Sequence, residues 1–145
     1  MCGFVGFTNY INNSNIVLEN MMNKIIHRGP DSGGTYIDDG IALGFRRLSI
    51  IDLAQGDQPI LNEDGSKVLL FNGEIYNFQS IREKLIAAGH KFKTKTDSEV
   101  LLHGYEEYGK NLLNMLRGMF AFVIWDKNTK ELFGARDFFG IKPLY

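Results

Sequence analysis

The sequence predicts an α+β protein, mixed or layered as α/β/β/α. Three observations carry this class. Short apolar runs of strand length open the chain, recur in its middle and close it, with helix-length segments inserted between them. The runs at residues 67–71 and 119–126 are apolar on both faces, which fits sheets covered by helices better than an open, one-sided sheet. Turn pairs such as Asp39-Gly40 and Asp64-Gly65 sit between strand candidates, where hairpins are expected.

Taken in order, residues 2–7 read as a buried strand. After the polar turn Asn12-Asn13-Ser14, the spacing of Leu18, Met21, Met22 and Ile25 gives one apolar helical stripe, with Ser14 or Asn15 as its cap. Residues 35–37 and 41–45 form strands flanking Asp39-Gly40, and residues 67–71 follow the Asp64-Gly65 turn. Helices are expected over 78–88, stopped by Gly89, and over 98–108, stopped by Gly109. A strand over 119–126, a turn at Lys127-Asn128-Thr129 and a returning strand over 131–135 complete the series. The chain stops on apolar and aromatic residues, Ile141 to Tyr145, so a longer natural chain is expected, and the faces its absent strands would cover favour self-association into a homo-oligomer.

Composition excludes several classes of function. At 145 residues, 44% hydrophobic and 23% charged, the chain can bury a core and reads as one domain or part of one. Sixteen basic residues against 17 acidic give a net charge of −1 with no basic block, so neither nucleic acid nor an acidic membrane surface is an expected partner. The first basic residue is Lys24, which argues against a secretory signal, and no segment is apolar for long enough to span a bilayer. One cysteine allows no internal disulfide and fits a reducing, cytoplasmic setting.

That one cysteine is Cys2. If the initiator methionine is removed, thiol and α-amine share one residue. An α-amine titrates near ~7.7–8.0 in small peptides, so at neutral pH part of it is free to take the thiol proton. Nucleophile and base then come together without a histidine, the logic of an N-terminal nucleophile hydrolase. Read blandly, Cys2 is a small apolar residue at a strand start. A Cys-His hydrolase would need His27, His90 or His103; His27 suits a helix C-terminus, and the other two read as ordinary surface or half-buried residues. One cysteine and three scattered histidines make no ligand set, so no metal is expected.

Attack on a carbonyl needs donors for the developing oxyanion. In Phe71-Asn72-Gly73-Glu74, Asn72 offers a side-chain amide and Gly73 an unobstructed backbone N–H. Asn-Gly after a strand is also a strong hairpin signal, but the residues from Glu74 to Leu85 read as helix rather than a return strand. An amino-acid substrate would need a cation for its carboxylate. Arg46 and Arg47 lie in a strand-like run, so only one of them can face a given pocket. Thr96 and Glu99 have capping-box spacing, and Asp97 falls in the first helical turn, where an acid is favoured by the helix dipole.

Together these stretches resemble the glutamine amidotransferase domain of the class with an N-terminal cysteine, most closely the N-terminal half of glutamine-dependent asparagine synthetases. The matching pieces run in order along the chain: Met1-Cys2-Gly3-Phe4-Val5-Gly6, His27-Arg28-Gly29-Pro30-Asp31, Arg47-Leu48-Ser49-Ile50-Ile51-Asp52, Gln58-Pro59, Asn72-Gly73-Glu74-Ile75-Tyr76-Asn77, Thr96-Asp97-Ser98-Glu99, Gly118-Met119-Phe120-Ala121-Phe122 and Arg136-Asp137 onward to Tyr145. The resemblance implies the four-layer α/β/β/α sandwich of N-terminal nucleophile hydrolases. It implies Cys2 as nucleophile, its freed amine as base, and Asn72 with the Gly73 N–H as oxyanion hole. Arg47 would bind the glutamine carboxylate, and Glu74 and Asp97 its α-ammonium. Residues 1–145 would be a glutaminase domain truncated at its C-terminus, with the synthetase domain absent. ATP and magnesium are expected only for that missing domain, since the chain holds no glycine-rich phosphate loop. A domain that keeps Met1 and binds glutamine or a partner without turnover, and one serving a sugar or another carboxylate acceptor, remain the alternatives.

Overall fold

The computed structural model describes residues 2–9, 12–48 and 57–145. The chain divides into two compact units, Met1–Ile60 and Leu61–Tyr145.

The first unit is a three-stranded antiparallel sheet with one helix on it. Its elements are β1 (Gly3–Thr8), α1 (Ser14–Lys24), β2 (Ser32–Asp38) and β3 (Ile41–Arg47), with a 3-10 turn at Ile26–Arg28 after α1. The strand order is β1-β3-β2. The central strand is therefore the apolar one: β3 is buried from Ile41 to Phe45, whereas β2 is largely exposed. Asp38 pairs with Ile41 across the two-residue turn Asp39-Gly40, as the turn chemistry requires. Helix α1 buries Leu18 and Met22 against Ala42, with Val5 and Phe7 alongside. Each such side chain contributes about 1.5–3 kcal/mol by leaving water. Close approach depends on Gly44, where a Cβ would lie 2.7 Å from Met22 Cγ and Sδ.

The second unit contains β5 (Lys67–Ile75), α2 (Phe78–Ala87), α3 (Ser98–Tyr108), a 3-10 segment (Gly109–Asn114), β6 (Gly118–Asp126) and β7 (Glu131–Arg136). A short strand β4 (Ile60–Leu61) begins at the boundary and completes the sheet order β4-β5-β6-β7. β5 and β6 run antiparallel over their full nine residues, from Lys67 opposite Asp126 to Ile75 opposite Gly118. The Lys67 ammonium and the Asp126 carboxylate close that ladder at 3.3 Å, both largely buried. Residues 68–71 and 120–125 are buried without a break, which is why these runs show no alternation. Helix α3 is buried from Ser98 to Gly104, and α2 packs Ile81 and Leu85 inward.

Three local expectations are corrected. The strand predicted over 67–71 continues to Ile75, so Asn72-Gly73 lies inside it and Glu74-Ile75 is strand rather than helix, which starts only at Phe78. Gly73 has a φ of +155° and sits opposite Phe120, where a Cβ would run into the Met119 carbonyl. Glycine therefore serves strand pairing here. Second, α1 begins at Ser14 and is preceded by Asn13 in the left-handed region (φ 62°), a conformation asparagine tolerates, with no side-chain cap bond. Third, Thr96 and Glu99 form no capping box. The Glu99 carboxylate instead accepts the backbone N–H groups of Lys93 and Thr94 and the Thr94 hydroxyl at 2.7–2.8 Å, because the segment before α3 doubles back over it.

The last described stretch is organised by Asp137. Its carboxylate accepts backbone N–H groups from Phe120, Phe139, Ile141 and Lys142 at 2.9–3.1 Å. Burial alone would raise its pKa, but these bonds outweigh burial and hold the carboxyl below the usual aspartate range.

Candidate active site

The residues predicted for the site fall in both units. In the first, Cys2 immediately precedes β1 and is partly exposed. Its Sγ accepts the backbone N–H of Leu48 at 3.5 Å and lies 3.9 Å from the Leu48 carbonyl oxygen, to which the thiol can donate. The Cys2 carbonyl accepts Arg28 Nε at 3.2 Å. The 3-10 turn that carries Arg28 therefore anchors the backbone on which the thiol sits. Sequence reasoning assigned Arg28 no role; its place inside a matched motif was the available signal.

Arg46 and Arg47 diverge as strand periodicity requires. Arg46 is tied to α1, donating to the Met22 carbonyl (3.4 Å) and to Asn23 Oδ1 (2.8 Å). Arg47 ends β3 with its side chain 11% exposed, and its Nη1 lies 3.2 Å from Asp57 Oδ1. Met1 and the Ser49-Ile50-Ile51-Asp52 part of the arginine motif lie outside the described residues.

In the second unit, Asn72, Gly73 and Glu74 occupy consecutive positions of β5, opposite Ala121, Phe120 and Met119. The two-residue period puts Asn72 and Glu74 on the same face. Asn72 is buried, and Glu74 is exposed. Asp97 immediately precedes α3, and its Oδ2 accepts the Ile75 N–H at 2.8 Å. Within this unit, then, residues more than 20 positions apart in sequence are joined: the end of the Asn72-Gly73-Glu74 strand and the Asp97 loop. Burial raises the Asp97 pKa and the neighbouring Glu74 charge adds to it, against the lowering effect of the Ile75 N–H.

Two residues with no predicted role in the site hold this geometry. Glu99, buried, fixes the loop that carries Asp97 through the bonds to Lys93 and Thr94, and a chain of hydroxyls from Thr94 to Thr96 to Ser98 (2.8 and 2.9 Å) continues it. Asn77 accepts the Arg117 N–H and donates to the Met115 carbonyl, both at 2.9 Å, which sets the step from β5 into α2. Of the histidines, His27 is exposed in the first unit's 3-10 turn. His103, expected at or near the surface, is 1% exposed and contacts Glu106 with His90 beside it, so it belongs to a carboxylate cluster of the second unit.

The family profile described as Glutamine amidotransferase domain matches residues 1–145. This chain belongs to the glutamine amidotransferase domain family. The amidotransferase domain is 50% identical over 150 residues to glutamine-hydrolyzing asparagine synthetase 1 of Bacillus subtilis, covering 100% of this chain and 24% of that protein. It is 44% identical over 149 residues to glutamine-hydrolyzing asparagine synthetase 2 of Arabidopsis thaliana, covering 100% of this chain and 25% of that protein. The chain thus spans about a quarter of the length of these relatives. Among solved structures, the glutamine phosphoribosylpyrophosphate amidotransferase of B. subtilis superposes with a TM-score of 0.73 at 22% identity, over 94% of this chain and 37% of that one. The amidotransferase domain shares the α+β fold of that structure. No helix among the described residues is long and apolar enough to cross a membrane.

Proposed function

We propose that this domain hydrolyses L-glutamine to glutamate and ammonia, with Cys2 as the nucleophile. The observation that carries the reading is the family match over residues 1–145, which begins on the residue pair that methionine removal would turn into an N-terminal cysteine. In the reaction, the α-amine of the processed Cys2 accepts the thiol proton, and the sulfur attacks the glutamine side-chain carbonyl. The tetrahedral oxyanion is stabilised by the Asn72 side-chain amide and the Gly73 N–H. The C–N bond then breaks, ammonia leaves with the proton returned from the α-ammonium, and water hydrolyses the thioester to glutamate and free thiol. Arg47 binds the substrate carboxylate by its two-point fork. Glu74 and Asp97 hold the substrate α-ammonium.

The relatives named as glutamine-hydrolyzing asparagine synthetases support aspartate as the eventual ammonia acceptor. In that reading a C-terminal synthetase domain of a longer, cytoplasmic protein uses ATP and magnesium to make asparagine, and the reaction assigned to residues 1–145 draws on no cofactor. Self-association is part of the same proposal.

The test is intact mass before and after incubation with a diazo-ketone analogue of glutamine. A chain lacking methionine that gains one adduct, with none in Cys2→Ala, supports the reading. A chain that retains methionine and forms no adduct points to a glutamine- or partner-binding module without turnover.

A further inference from the structure

Apart from the residues given roles above, the second unit gathers another set of titratable groups. His90 follows the glycine that stops α2, and His103 and Glu106 stand one turn apart on α3. The two imidazoles lie 5.2 Å apart between ring centres. Glu106 Oε2 is 2.9 Å from His103 Nδ1 and 3.9 Å from His90 Nδ1. One nitrogen from each ring and one carboxylate oxygen all fall within 4.8 Å of one another. Tetrahedral bonds of ~2.0–2.1 Å put ligand atoms roughly 3.3 Å apart, a spacing that the 2.9 and 3.9 Å contacts bracket.

The outer nitrogens define what the inner ones can do. His90 Nε2 lies 3.1 Å from Glu107 Oε2. His103 Nε2 is buried without a hydrogen-bond partner and faces Glu99 Oε1 at 3.9 Å. A ring nitrogen that faces a carboxylate is favoured in its N–H form. A neutral imidazole protonated there turns a bare Nδ1 lone pair inward, and on His103 that lone pair would meet the Glu106 carboxylate. In that tautomer a positive charge between these groups is favoured. A second proton supplies it on one ring, whereas a metal ion supplies it to all three ligands and keeps the outer His90 N–H on the Glu107 carboxylate, the usual outer arrangement of metal-bound histidine.

Asn62 completes the support. It is 5% exposed, donates Nδ2 to Glu106 Oε1 at 2.6 Å and accepts the Lys67 N–H at 3.0 Å, so it leaves Oε2 for the imidazoles. Phe92 closes one side, edge-on to His103 at 4.7 Å.

We infer that His90, His103 and Glu106 form a binding site for a divalent transition-metal ion, with Nδ1 of each histidine and Oε2 of Glu106 as ligands. Two imidazoles and a carboxylate suit zinc, with water in the remaining position. The inference is independent of the glutaminase reading, because none of the three ligands is given a part in it.

The chain carrying Cys2→Ala, which removes the thiol as a competing ligand, is stripped with a chelator and titrated with zinc and with cobalt(II). We expect one ion per chain, a higher melting temperature with zinc, and a cobalt absorption spectrum of nitrogen and oxygen ligation. His90→Ala, at a half-buried position, lowers affinity by more than tenfold, and Asn62→Ala by about tenfold. Long-range proton–nitrogen spectra of the unaltered ligand set report the same event without a ligand-site mutation, through the Nδ1 shifts of His90 and His103. No stoichiometric binding, binding unchanged by His90→Ala in a folded variant, or unmoved Nδ1 resonances would each overturn the site.

Discussion

The Asp97 carboxylate accepts the backbone N–H of Ile75 at 2.8 Å, which ties the residue before α3 to the last residue of β5. Because burial and Glu74 raise the Asp97 pKa, its ionised form is disfavoured in the folded chain. The sign follows from linkage: this group's contribution to stability is fully present below its unfolded pKa and is lost as pH rises through the elevated folded value. Asp97→Asn keeps an acceptor for Ile75 and removes the buried charge. The variant is expected to melt at or above the parent temperature at pH 7 while its KM for glutamine rises about ten- to a hundredfold, the worth of a charge-assisted hydrogen bond. Thermal melts and steady-state kinetics on the same preparations check both halves. A lower melting temperature with unchanged KM contradicts them.

Cys2→Ala is expected to abolish glutamine turnover in a processed, full-length form and to change stability by less than about 1 kcal/mol, since the residue is small and half-buried. Residual ammonia release equal to that of the parent would remove Cys2 from the mechanism.

For Arg47→Ala the expected defect is a raised KM with kcat much less affected, because the residue binds the substrate in ground and transition states alike. Its ion pair with Asp57 should cost the fold little, since the Asp57 side chain is 91% exposed and such pairs are worth about 0–1 kcal/mol. Asp57→Ala provides the control: it should leave the melting temperature within a degree or so of the parent.

Asp137 gives a pH prediction of the opposite sign to Asp97. Its folded pKa is depressed, so the stability it contributes is present above the ordinary aspartate value of about 3.9 and is lost as pH falls through the lower folded value. Asp137→Ala leaves the N–H groups of Phe120, Phe139, Ile141 and Lys142 without this acceptor and is expected to destabilise the chain by roughly 3 kcal/mol or more. Denaturant titrations at neutral pH and near pH 3 measure both effects. Equal losses at the two pH values would show that the charge itself contributes nothing.

Gly73→Ala tests the strand rather than the chemistry. With φ at +155° and the Met119 carbonyl in the place of a Cβ, the substitution should cost about 2 kcal/mol or more and loosen the β5–β6 pairing around Phe120. Amide exchange at Phe120 and Ala121 reads the loosening directly.

Much of the fold was legible because its signals are local. Turn pairs such as Asp39-Gly40, glycine stops such as Gly89 and Gly109, and unbroken apolar runs such as residues 119–126 act through nearest neighbours and appear where expected. The errors arose where a distant partner outweighed a local preference. The strand reads as ending at Phe71 with helix from Glu74, yet pairing with β6 keeps the chain extended to Ile75. Thr96 and Glu99 have the spacing of a capping box, yet the chain before α3 takes the Glu99 carboxylate for its own N–H groups.

By itself, the sequence determined the strand and helix order, the isolation of a single thiol at Cys2 and the collinear motifs that mark the family. Those features depend on residue identity and on spacing along the chain. Tertiary structure alone decided that Leu48 supplies the backbone groups around the Cys2 sulfur, that Ile75 ties down Asp97, and that His90 joins His103 and Glu106. These relationships join groups that are remote in sequence, or close but turned by the fold, and each is stable because burial makes an unpaired N–H or charge costly. Which partner satisfies it is fixed only when the sheet and helices close.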